Sequence, residues 1–179
     1  MQLIRCTGKL IKELGFQAKD LRPEEPRFSF LGQWHANLIY LNRQKTVLLV
    51  NDRTIFNFII PGLSRAQIRD LPNQFRQMLA CVLSEEGLPD AVNERILAEY
   101  AEIGFGKSSD RSVLGSSNEL AFHYKHRILN AGGIHSWRVP QIIQELNRMP
   151  MQAIPSKFPI DELRRLYSLE PEQRHFGAH

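Results

Sequence analysis

The stretch DRSVLGSSNE, Asp110 to Glu119, gathers two acids, an arginine, three hydroxyls and an asparagine around one glycine, at the start of a helical pattern. An arginine near a helix N-terminus, where free N–H groups attract anions, can hold a phosphate or a carboxylate, so Arg111 is a candidate anion ligand. The plainer reading is local. Ser116 and Glu119 have the Ser-x-x-Glu spacing of a capping box, Gly115 permits a tight turn, and Val113 with Leu114 can plug the core. That leaves Asp110, Arg111, Ser112 and Asn118 without a structural task, and polar loop residues carry function more often than core residues do.

A second polar-aromatic run, QWHAN, precedes a strand pattern. Trp34 can stack on a base or simply cover the end of a sheet. His35 can serve as a general acid or base, or as a hydrogen-bonded structural residue. Asn37 falls on the strand face opposite Ala36 and Leu38. GFGKSS, Gly104 to Ser109, ends like a phosphate-binding loop, but that loop needs a glycine where Ala101 stands and a strand before it, whereas the preceding residues read as helix. His123 and His126, with Glu119, share one helix face and could hold a metal, yet the set lacks a fourth ligand, and no metal or cofactor is expected. Cys81 lies near an apolar stripe and Cys6 in a strand, so both read as core thiols. Serines 108, 109, 112, 116 and 117 are framed by no G-x-S-x-G elbow.

The elements that must position these residues follow from periodicity. MQLIRC reads as a short strand and GKLIKEL as a helix stopped by Gly15. Residues 16–30 read as a polar connection carrying RPEEP. Strands are expected at 36–42, 45–51 and 54–60, an antiparallel meander punctuated by NRQK and NDRT and ended by Pro61-Gly62. Helices then follow: one introduced by the Ser64/Gln67 capping box, one from Asp70 to Gly87, one from Pro89 to Gly104, one over 118–131 and one over 136–148. IDELRRLY is a last amphipathic piece, and PEQRHFGAH reads as a frayed tail. Strands first and helices later predict an α+β fold: an antiparallel sheet of the N-terminal strand and the 36–60 meander, covered by five or six helices. Residues 1–158 are expected to form a single domain, with 159–179 as a C-terminal helix and flexible tail.

The 179 residues are 42% apolar and 23% charged, the balance of an ordinary globular chain rather than a disordered one. The formal net charge of +4 is spread along both halves without a Lys/Arg block. No signal peptide, myristoylation site or membrane span is evident, which points to a cytoplasmic protein that enters no membrane.

RCTGKLIKEL, LGQWHANLIYLNRQKTVLLVNDRTIFNFIIPGL, DRSVLGSSNELAF and LNRMP together resemble a family of short bacterial proteins known only as a domain of unknown function, over most of residues 1–150. Trp34 to Leu38 match its WHANL run. Asp110, Arg111, Ser112, Val113, Gly115 and Asn118 match its DRSVxGxxN run. Thr46 stands where some members carry cysteine. The resemblance implies that Trp34–Asn37 and Asp110–Asn118 meet in space, and it implies no activity.

Three function classes follow. The first is an accessory protein binding nucleic acid or another anionic partner, with Arg43, Lys45, Arg53 and Arg111 on phosphates and Trp34 stacked on a base. The second is a hydrolase or nuclease using His35 with Asp110, Arg111 and Ser112. The third is a protein-interaction module of antitoxin-like or regulatory type, working through a sheet edge or the IDELRRLY helix.

Overall fold

The computed structural model describes residues 1–23 and 29–174. The strands are β1 (Gln2–Cys6), β2 (Trp34–Leu41), β3 (Gln44–Asn51), β4 (Asn57–Ile60) and β5 (Ile103–Lys107). The α-helices among the described residues are α1 (Gly8–Leu14), α2 (Arg65–Arg69), α3 (Leu71–Glu85), α4 (Asp90–Glu99), α5 (Arg111–Asn130), α6 (Val139–Leu146) and α7 (Pro159–Leu166), seven where five or six were expected. One sheet runs in the order β4-β3-β2-β1-β5. The class is α+β, but the sheet is mixed rather than antiparallel: β1 lies parallel to both β2 and β5, while β2, β3 and β4 form the antiparallel meander. The crossover from β1 through α1 to β2 is long enough to permit parallel pairing, which a tight hairpin would forbid.

The expected meander begins and ends differently. β2 starts at Trp34, and β4 shortens to Asn57–Ile60 because residues 52–56 form a turn built on the Asn51 side chain. Its Oδ1 accepts from the N–H groups of Arg53 (3.1 Å) and Thr54 (3.0 Å) and from the Thr54 hydroxyl (2.9 Å), while Nδ2 donates to the carbonyls of Leu31 and Gln33. The β2–β3 turn holds Asn42 and Arg43 at φ 48° and 63°, the left-handed pair that a two-residue hairpin loop needs to match strand twist.

β5 overturns the expectation of helix through residue 103 followed by loop. Helix α4 stops at Glu99, and IGFGK extends alongside β1. Its glycines are positional. A Cβ on Gly104 would lie 2.9 Å from Met1 Sδ and 3.0 Å from Leu3 Cδ2, and one on Gly106 would lie 3.3 Å from the Arg22 carbonyl and 3.5 Å from Arg5 Nη1. The chain after β5 then starts a helix six residues earlier than the 116–119 capping spacing suggested, with Asp110 rather than Ser116 as the cap. Asp110 is the N-cap, accepting from the N–H groups of Ser112 (2.8 Å) and Val113 (3.2 Å), and Gly115, Ser116 and Glu119 lie inside α5. A carboxylate that satisfies two end N–H groups outweighs the helix penalty of one glycine, about 1 kcal/mol.

Helices cover both faces. Trp34 points to the face packed by α3, meeting Phe75 and Phe58 edge-on at 5.4 and 5.3 Å. The opposite face is covered by α5 and α6. There the Tyr124 hydroxyl donates to Asn57 Oδ1 (2.7 Å), and Asn147, just after α6, embraces the Asn57 backbone: Asn57 N–H donates to Asn147 Oδ1 (2.8 Å) and Asn147 Nδ2 to the Asn57 carbonyl (2.7 Å). Asn147 thus stands in for a missing strand at the β4 edge.

The C-terminal piece packs into the same core, with Ile160 and Leu163 fully buried. Arg148 ties it back through Glu86 (2.7 Å) and Glu172 (2.5 Å), and Arg174 pairs with Asp161. Residues 24–28, within the expected polar connection, and 175–179 of the expected tail lie outside the described residues.

Two outcomes follow from this packing. Asn147→Ala leaves the Asn57 backbone groups buried without partners and is expected to lower stability by roughly 2–5 kcal/mol in urea melts, with an unchanged m-value. Glu162 is buried. Desolvation pushes its pKa up, but hydrogen bonds from Arg165 and Ser156 outweigh this and hold it below the ordinary glutamate value. Its contribution to stability is therefore present above the unfolded-state pKa and lost as pH falls through the lowered folded-state value. Wild type should exceed Glu162→Gln in melting temperature at neutral pH, with the gap closing as acid protonates the carboxylate.

Candidate functional site

The sequence-predicted residues separate into three environments. Trp34 is fully buried among Phe58, Phe75 and Tyr100. It cannot stack on a base, which corrects the expectation built on its aromatic character. His35 projects to the α5 side of the sheet, is 2% exposed, and has Nδ1 2.5 Å from Asp52 Oδ1. A carboxylate on Nδ1 orients catalytic histidines. Here, however, Nε2 is buried without a hydrogen-bond partner, and no hydrogen bond among the described residues joins His35 to Asp110, Arg111 or Ser112. Asn37 lies further along β2, where its Oδ1 accepts from the Thr7 hydroxyl (3.2 Å) at the end of β1.

The second run begins at the same end of the sheet. Ser108 N–H donates to the Cys6 carbonyl (3.0 Å), so the turn into α5 leaves the sheet beside Thr7. The two runs are therefore linked through the end of β1: Asn37 accepts from Thr7, and the chain into α5 turns away beside Cys6. Asn118 is exposed on the outer side of α5. The anion site expected at Arg111 is filled from within, because the N–H groups that would bind an anion already donate to Asp110. GFGK does lie on a strand leading to a helix, contrary to the helical context read from sequence. Still, Ala101 replaces the required glycine, and only residues 108–110 separate strand from helix.

The four expected cations do not form one surface. Arg43 and Arg53 stand beyond opposite ends of the eight-residue β3, about 25–30 Å apart at strand rise. Arg53 donates to the backbone carbonyls of Ser29 and Phe30. Lys45 pairs with Glu13 at 3.0 Å.

The two cysteines, both expected in the core, separate. Cys6 is buried as expected, and desolvation pushes its thiol pKa up, which disfavours the thiolate. Cys81 is exposed rather than core and lines an apolar groove of about 140 Å³ with Ile59, Met78, Val139 and Ile143. His126 Nε2 lies 3.2 Å from Asn130 Nδ2, and among the described residues no three His, Cys, Asp or Glu side chains converge as a metal site. No helix of the described residues is long and apolar enough to cross a membrane.

A different surface gathers chemistry. β1 pairs with β2 only as far as Ala36, whereas β3 pairs with β2 all the way to Leu41. Among the described residues the outer half of β2 therefore has a strand neighbour on one side only. Tyr40, 48% exposed, stands in the middle of this free half. On one face it borders a cleft of about 320 Å³ with Lys9, Lys12, Glu13, Leu38 and Arg65. Glu13 is engaged by Lys45, which sits opposite Tyr40 across the hairpin, so Lys9, Lys12 and Arg65 give the cleft a net positive lining. On the other face Tyr40 borders a groove of about 170 Å³ with Leu41, Asn42, Lys125, Ile128 and Leu129.

Sequence reasoning missed Tyr40, Lys9, Lys12 and Arg65. The available signal was the solvent-facing lysine pair on α1 and an aromatic next to a hairpin turn, neither of which stands out without the strand register.

Trp34→Ala should cost about 3–5 kcal/mol of stability, as for other buried large-to-small changes. A scaffold role predicts that the milder Trp34→Phe variant folds with a smaller loss of stability than Trp34→Ala.

A comparison with curated proteins gives no match. The family described as Domain of unknown function (DUF6933) matches residues 3–162, which include β1 from Leu3 on, the outer half of β2, the residues lining the Tyr40 cleft and all of α5. The chain belongs to that family.

Proposed function

We propose that this protein is a binding protein whose anionic partner seats in the cleft beside Tyr40. The observation that carries the reading is the lining itself: Lys9, Lys12 and Arg65 face one open space in which Glu13 is already held by Lys45. Cations gathered on one concave surface raise the local concentration of anions and speed their association, whereas the same charges scattered over a surface do little. The overall basic balance, weak evidence while diffuse, gains meaning where four cations surround one acid. Arg43, at the tip of the same hairpin, adds a further positive charge to it, while Arg53 donates to the Ser29 and Phe30 carbonyls beyond the other end of β3. Single-stranded nucleic acid and acidic protein segments both carry the required charge, and Tyr40 offers the exposed ring that Trp34 does not.

Fluorescence anisotropy with a labelled single-stranded oligonucleotide and with polyglutamate, each titrated across salt, tests the reading. At least one probe should bind, with affinity falling steeply from about 50 to about 200 mM salt. The combined Lys9→Ala, Lys12→Ala, Arg65→Ala variant should lose about tenfold or more, a change of about 1.4 kcal/mol, while Arg53→Ala stays at wild-type affinity. If neither probe binds better than it does to a neutral control protein at low salt, or the triple variant binds like wild type, the reading is overturned.

A further inference from the structure

Sheet edges are points of exposure that folded proteins usually cover. Two of the edges here have such cover. On β4 the Asn57 N–H and carbonyl are taken by the Asn147 side chain. On β5 the Phe105 carbonyl accepts from Arg22 N–H at 2.7 Å. The third edge, the outer half of β2, differs. In an antiparallel pair, alternate residues aim their N–H and C=O groups away from the partner strand. The Ala36 carbonyl points away from β3 and accepts from Thr7 N–H at 3.1 Å. Leu38 and Tyr40, two and four residues on, therefore aim the same way. β1 has ended by then, since Thr7 caps α1 and the chain leaves for one face while α5 packs on the other. The line of β1 is thus continued by no strand among the described residues.

We infer that the outer half of β2 takes an extended acidic segment of a partner protein, which adds as a strand in the line that β1 vacates. The inference rests on the anionic-partner reading and names the partner's class. Strand addition uses main-chain hydrogen bonds for affinity and alternate side-chain pockets, one on each face, for selection. Both faces of this edge offer a pocket. The Lys9/Lys12/Arg65 cleft meets one set of side chains, and the Leu41/Ile128/Leu129 groove meets the set between them. The segment that fits has acids at every second position and apolar residues between, and Lys125 at the groove rim adds to the preference for negative charge. A nucleic-acid strand supplies the charge but not the alternating N–H and C=O groups that the Leu38 and Tyr40 backbone would pair with, nor side chains for the apolar groove.

The test uses the full chain and four labelled probes: a short synthetic peptide alternating glutamate and valine, the same peptide N-methylated on the amides of one edge of its backbone, the peptide N-methylated on those of the other edge, and an oligothymidylate of similar charge. The alternating peptide should bind, one N-methylated form should lose about tenfold or more while the other keeps its affinity, and Leu129→Ser should weaken the peptide but not the oligonucleotide. Equal affinity of both N-methylated forms and the parent would reduce the contact to charge and overturn strand addition. Binding of the oligonucleotide alone, lost in the Lys9/Lys12/Arg65 triple alanine variant, would also overturn strand addition while leaving the anionic cleft standing. Binding of none of the probes at low salt would remove both.

Discussion

The arrangement depends on the shortness of β1. Five residues long and fully buried, it is the parallel hinge of the sheet, paired with β2 on one side and β5 on the other. Because it stops at Cys6 while β2 continues to Leu41, the hairpin of β2 and β3 outruns its neighbour. The helices that follow the two parallel strands then diverge, α1 to the face of Trp34 and α5 to the face of His35. In open sheets with parallel strands, ligand crevices form where connections leave the carboxyl ends of adjacent strands for opposite faces. Thr7 and Ser108 mark that point here, and the free half of β2 is its wall.

The core explains why this end of the sheet can be left open. On one face Trp34, Phe58, Phe75 and Tyr100 interlock edge to face, with the Tyr100 hydroxyl donating to the Gly32 carbonyl at 2.7 Å. On the other, the Tyr124–Asn57–Asn147 set satisfies a row of buried polar groups that would otherwise be costly. Both clusters sit toward β3 and β4, away from the vacated line of β1. The hairpin carrying Tyr40 is thus packed from one side, while the other edge of its outer half pairs with no strand among the described residues. The chain after α5 is drawn against the hairpin tip as well: Gly133, at φ 106°, passes so close to Asn42 that a Cβ would collide with the Asn42 amide.

Much of this was legible in the residues, and the remainder was non-local. The β2–β3 hairpin announced itself through β-branched runs around Asn42, and the Ser64/Gln67 box capped α2 in both directions. β5 did not, because two of its five residues are glycines whose purpose, making room for Leu3 and Arg5, exists only once β1 lies beside them. The start of α5 was misplaced because Ser116 and Glu119 offered a well-spaced box, and nothing local says that Asp110 caps first. The site was read from polar and aromatic residue types, which drew attention to Trp34 and Arg111. Burial claimed the first, and Asp110 filled the anion position beside the second. The chemistry at Tyr40 arises from where one strand ends relative to another, a property carried by pairing register rather than by any motif.

Amide hydrogen exchange along β2 addresses the free edge most directly, since it reports hydrogen bonding residue by residue. The Ile39 and Leu41 amides, bonded into β3, should be strongly protected, while the Tyr40 amide exchanges far faster. Protection of Tyr40 equal to that of its neighbours in the isolated protein would mean the edge is already occupied, and the account built on it would fail.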